Sequence, residues 1–137
     1  MRNLLLATAL LVSITGAAIA QTASPDGATV YFIEPKDGAE VSSPVTVRFG
    51  LSGMGVAPAG VEKAKTGHHH LLIDTKLEDY AAPVPADDNH KHFGGGQTET
   101  KVELSPGTHT LQLLLGDHNH IPHSPPVESE VITITVK

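Results

Sequence analysis

Between positions 45 and 51 the chain reads Val-Thr-Val-Arg-Phe-Gly-Leu, with Val45, Val47, Phe49 and Leu51 at every second position. Successive side chains of an extended strand point to opposite faces, so this two-residue period predicts a strand with one buried face. A helix would scatter the same four side chains around its axis. Similar short runs recur at 29–33, 69–74, 98–104, 108–115 and 130–136. They are separated by turn chemistry such as Lys36-Asp37-Gly38 and Ser105-Pro106-Gly107. Leu111, Leu113 and Leu115 are expected on one face, as are Ile132, Ile134 and Val136. Residues 56–66, with Pro58 and Gly60, read as a loop, and 81–85 as a proline-rich connector. Six strands with room for a seventh, and no convincing helix, predict an all-β fold: an immunoglobulin-like antiparallel β-sandwich of about seven strands.

The first twenty residues have the pattern of an export signal. Arg2 supplies a positive start, 4–14 is an apolar run, and Ala18-Ile19-Ala20 is a small-residue cleavage pattern. The expectation is a signal peptide at 1–20, cleaved after Ala20, and one domain at 21–137, periplasmic or secreted. No later apolar stretch reaches the length of a membrane-spanning helix. The chain has no cysteine. Disulfides, thiolate zinc, blue copper and iron–sulfur clusters are thereby excluded, as is a lipid anchor on cysteine. Nine Lys and Arg stand against fifteen Asp and Glu, a poor balance for nucleic acid or an anionic membrane surface.

Every histidine except His109 falls in one of three clusters: His68-His69-His70, His90-Lys91-His92 and His118-Asn119-His120-Ile121-Pro122-His123. Each cluster contains a His-x-His step. In extended chain, residues two apart share a face at roughly 6.5–7 Å, so two such imidazoles can turn toward one ion. With the six strands taken in order as A, B, C, E, F and G, the clusters fall at the B–C loop entering C, in the loop before E, and in the F–G loop. All three are then expected at one end of the sandwich. His68, His70, His90, His92, His118, His120 and His123 are the candidate metal ligands. His69 is expected on the core side with Leu71, and His109 in a packing or hydrogen-bonding role. Neutral imidazoles without thiolate suit Cu(II), Zn(II) or Ni(II), whereas Cu(I) favours thioether and Met54 is the one methionine after Met1. Asp87, Asp88 and Asp117 can ligate or orient imidazoles.

The stretches "GVAPAGVEKAKTGHHHLLID", "PADDNHKHFGGGQTET" and "PGTHTLQLLLGDHNHIPHSPPV" resemble an exported bacterial family of unknown function, domain-of-unknown-function family 4399. The opening "TVYFIEPKDGAEVSSPVTVRFGL" is similar to the first two strands of many bacterial immunoglobulin-like domains. The resemblance implies the fold and export, and brings no activity.

The expected function is therefore that of an exported histidine-rich module binding a divalent transition metal. The competing reading is a structural or adaptor domain. There, a network of His and Asp hydrogen bonds would tie the loops down, and the partner would be a periplasmic protein, a peptide or a glycan. Such a network stabilises only when every member is satisfied. Gly94-Gly95-Gly96 reads as a turn, since the Lys-Ser/Thr tail of a phosphate-binding loop is absent. Enzyme readings find less support. Position 97 is Gln97 where a cupin-type site places glutamate. A superoxide-dismutase-like site is fold-level analogy only, with no disulfide possible and Arg48 in mid-strand.

Overall fold

A computed structural model describes Ser13, Gly16 and residues 20–137. The expected signal peptide therefore lies almost entirely outside the described residues. Among the described residues nine strands follow one another: β1 (Thr29–Glu34), β2 (Glu40–Val41), β3 (Val45–Ser52), β4 (Gly55–Val56), β5 (Thr66–Ile73), β6 (His90–His92), β7 (Glu99–Val102), β8 (Gly107–Gly116) and β9 (Ile132–Val136). They form two sheets. One has the order β1-β3-β7; the other has the order β2-β9-β8-β5-β4, with β6 also paired to β5. The chain is an all-β sandwich.

Its core forms where the two-residue periods meet. Val30 and Phe32 of β1, Val45, Val47 and Phe49 of β3, and Val102 of β7 face the second sheet. That sheet supplies Leu71 and Ile73 of β5, Leu111, Leu113 and Leu115 of β8, and Ile132, Ile134 and Val136 of β9. The six expected strands all exist. Those labelled A, B and E share one sheet, and those labelled C, F and G share the other.

Three departures matter for the site. Strand β5 begins at Thr66, so His68 and His70 lie inside a strand and not in the loop before it. His90-Lys91-His92 is itself a strand, paired antiparallel to β5 with His92 opposite His70 and His90 opposite Leu72. Two short pairs, β2 with β9 and β4 with β5, are parallel, whereas the other strand pairs are antiparallel. Residues 56–66 contain no helix.

The outer face of the larger sheet is partly covered. Leu72 and Leu114 pack with Val84 from the proline-rich connector, and Leu77 and Tyr80 flank them. Tyr80 donates from its hydroxyl to Glu128 Oε2 at 2.6 Å, and Val84 N–H donates to the His120 carbonyl at 2.8 Å. The connector thus lies over the sheet beside the last histidine cluster.

Candidate metal centre

Strand alternation sorts the three consecutive histidines. His69 points into the core with Leu71, its ring 5.0 Å from the Phe49 ring between centroids. His68 and His70 point to the outer face, and both are 1% exposed. Residues directly opposite in an antiparallel pair share a face, so His92 joins His70 on that side.

The fourth member comes from the β8–β9 loop. There the Asp117 carboxylate accepts the N–H groups of Asn119 at 2.8 Å and Ile121 at 3.0 Å, while Thr22 donates its hydroxyl to the other oxygen at 2.8 Å. His120 N–H donates to the Asp117 carbonyl. The turn closes with His120 in the left-handed region, at φ 65°. Burial works against the charge on Asp117, but the Thr22 hydroxyl and the two N–H donors hold its carboxyl below the usual range.

His68, His70, His92 and His120 thereby converge, with one ligand nitrogen from each inside a set whose members all lie within 4.8 Å of one another. Two are deep, His120 is half-buried and His92 is exposed. His68 Nε2 is 3.0 Å from His70 Nε2 and 3.1 Å from His120 Nδ1. A neutral imidazole nitrogen offers one proton or one lone pair, so His68 Nε2 cannot bond well to both neighbours. The Nδ1 atoms of His68 and His70 are buried without a partner. Burial, then the neighbouring rings His120 and His92, push the His68 pKa down to about 4. Burial and the same crowding, His68 first, lower His70 further, to about 2. Burial and His120 also lower His92. The deep rings are therefore neutral at ordinary pH, with lone pairs free for a cation.

Glycines make room for these rings. A Cβ on Gly116 would lie 2.7 Å from His70 Nε2, and one on Gly94 would lie 2.3 Å from His92 Cε1. A Cβ on Gly67 would meet the Gly116 carbonyl oxygen at 2.7 Å, so β5 and β8 approach closely beside the site. None of these glycines figured among the candidate site residues. The available signal was a glycine next to or near each His-x-His step.

Three candidate ligands stand outside the group. His90 shares the face of His92 but lies one pleat further along, with Nδ1 2.8 Å from Asp87 Oδ1. His118 is separated from His120 by the Asp117 turn, because the extended geometry expected of that pair is replaced by a left-handed residue. Its Nε2 is 3.0 Å from Asn119 Nδ2 and 3.9 Å from Glu62. His123 is fully buried, with Nε2 3.3 Å from the Thr66 carbonyl oxygen. No aspartate joins the group: Asp87 holds His90, Asp88 lies 3.8 Å from Lys91, and Asp117 builds the turn. The group sits on the outer face of the larger sheet, where β5 begins and β8 ends, and not among the end loops alone.

The family model described as "Domain of unknown function (DUF4399)" matches residues 47–137. The chain belongs to this family. The match runs from within β3 to the last residue and contains all four converging histidines, while β1 and β2 precede it. No curated protein and no solved structure matches the chain.

Proposed function

We propose that this is an exported domain that binds one divalent transition-metal ion, Cu(II), Zn(II) or Ni(II), through His68, His70, His92 and His120. The observation that carries the reading is His68 Nε2, which faces two imidazole nitrogens at 3.0 and 3.1 Å and can satisfy only one as a hydrogen bond. An ion removes the conflict, because each ring then directs a lone pair to the same point. Nitrogens about 2.0 Å from a tetrahedral zinc stand roughly 3.3 Å from each other, close to these spacings. Four neutral nitrogens without sulfur suit the three borderline ions. Met54, the one methionine among the described residues, packs against the main core and brings no thioether to favour Cu(I). Export is supported by Arg2, the apolar run at 4–14 and Ala18-Ile19-Ala20.

The rival hydrogen-bonded network is supported at His90 with Asp87 and at His109 with Asp74. It lacks support at the cluster itself, where no carboxylate accepts from a ring and two Nδ1 atoms have no partner. Calorimetry on untagged protein separates the two. We expect one ion per chain, weakening with acid as imidazoles protonate. Binding should vanish in His70→Ala and persist in His90→Ala and His118→Ala. Heats in the wild type no larger than in His70→Ala would remove the metal reading.

A further inference from the structure

We infer that His92 is the exchange ligand of this site, the imidazole that leaves so that the ion passes to a second chelating molecule. The inference rests on the metal-binding reading above. It makes the domain a carrier that hands its ion on rather than a store that keeps it.

The four rings are held unequally. His68 and His70 rise from β5, which is flanked by β8 on one side and by β4 and β6 on the other. At 1% exposure, neither ring can turn away without moving packed neighbours. His120 is fixed at both ends of its own residue: its N–H donates to the Asp117 carbonyl and its carbonyl accepts from Val84 N–H. His92 ends a strand of three residues with one strand partner, at the sheet edge, and is exposed. Its ring stands where a side chain on Gly94 would be, so its place over the chain depends on the missing Cβ of that glycine.

His92 also belongs to two places at once. Its ring centroid lies 4.6 Å from that of His120 and 5.0 Å from that of His68. It also lines a cleft of about 330 Å³ between β6 and β7, with Lys91, Phe93, Thr100, Lys101 and Glu103. His68, His70 and His120 do not line this cleft, so a donor arriving through it would meet His92 before the other three rings. The step is a ligand substitution without change of oxidation state. The donor's lone pair forms a new bond to the ion, the His92 bond breaks, and His92 leaves with its own lone pair, free to accept a proton from water. Zinc tolerates the five-coordinate arrangement through which such a step passes.

Stopped-flow transfer of Zn(II) from the loaded protein to 4-(2-pyridylazo)resorcinol tests this. In the wild type the transfer rate should rise with chelator concentration, since the chelator must displace His92. His92→Ala should still take one ion through the remaining three imidazoles, with affinity weakened by at least the roughly 10–100-fold that loss of a partner behind a metal ligand costs. Its transfer should be faster than that of the wild type. Gly94→Ala leaves all four histidines in the sequence but puts a Cβ against the His92 ring, and should reproduce the fast transfer. Two results overturn the inference: His92→Ala or Gly94→Ala transferring no faster than the wild type, or His92→Ala losing the ion as completely as His70→Ala. A wild-type chain that takes up no ion is a different result, which removes the metal reading and this inference with it.

Discussion

Gly116 is a glycine because the His70 ring occupies the place of its side chain. A Cβ there would lie 2.7 Å from His70 Nε2 and 3.0 Å from Cδ2. His70 is packed on every side, so it cannot yield cheaply. Gly116→Ala should therefore cost about 1–3 kcal/mol in stability, as overpacking of a filled site does. It should also displace a ligand nitrogen and weaken ion binding, although no ligand has been removed. Denaturant melts paired with calorimetry check both effects. A variant that binds as tightly as the wild type would mean that His70 does not need its present position. At this scale the sequence announced the chemistry better than the geometry. The histidines are visible in the sequence as a set, but its His-x-His spacing suggests an extended pair at His118 and His120. Asp117, two residues before Asn119, already carried the turn signal that splits them. Gly94 reads as part of a turn, and neither Gly67 nor Gly116 stands out, because a sequence does not show which ring stands over a missing Cβ.

Among elements, the end of β5 is clamped to the start of β8 by a single imidazole. His109 has Nδ1 2.7 Å from Asp74 Oδ2 and Nε2 2.8 Å from the Ser105 carbonyl oxygen. Both partners are acceptors, and only the protonated ring donates from both nitrogens. The Asp74 carboxylate, helped by the Ser105 carbonyl, accordingly raises the His109 pKa above its usual 6.5. A histidine whose pKa is raised by folding adds stability that is fully present below the unfolded value and fades as pH rises through the folded one. Asp74→Asn keeps an oxygen for the Thr110 N–H, which now donates to Asp74 Oδ1 at 2.8 Å. Asparagine also tolerates the left-handed backbone of this residue, at φ 54°. The variant should lower the His109 pKa in an NMR titration and remove that share of the pH dependence. An unchanged pKa would rule out the clamp as its cause. Strands such as β3, β8 and β9 were legible because an apolar residue at alternate positions is their whole signal. Strand β6 was not, since three residues, His-Lys-His, carry no period. Pairing with β5 makes it a strand. The sequence puts the start of β5 late for a related reason: its polar histidines face a covered outer surface, and polar residues before an apolar run read as loop.

For the molecule as a whole, the core and the proposed ion site are separate structures sharing one sheet. The main core is built between the two sheets, whereas the four converging histidines stand on the outer face of the larger one. A domain whose core forms without the metal differs from a zinc finger, where binding supplies the folding free energy outright. Chelator-treated protein should therefore keep its far-UV circular dichroism and melt in a single transition. An ion held by the four histidines would nevertheless join β5, β6 and the β8–β9 loop, and in the unfolded chain these residues are scattered across positions 68–120. Binding to the folded form alone adds RT ln(1 + [L]/Kd), about 2.7 kcal/mol when free ion exceeds Kd a hundredfold. For a domain of this size that corresponds to a rise in Tm on the order of 10 °C, growing with the logarithm of ion concentration. His70→Ala should melt at the same temperature with and without ion, while His90→Ala should show the full rise. Loss of the circular dichroism signal on chelation would mean that the sandwich depends on the ion. A Tm that ignores ion concentration in the wild type would mean that the four imidazoles do not hold it.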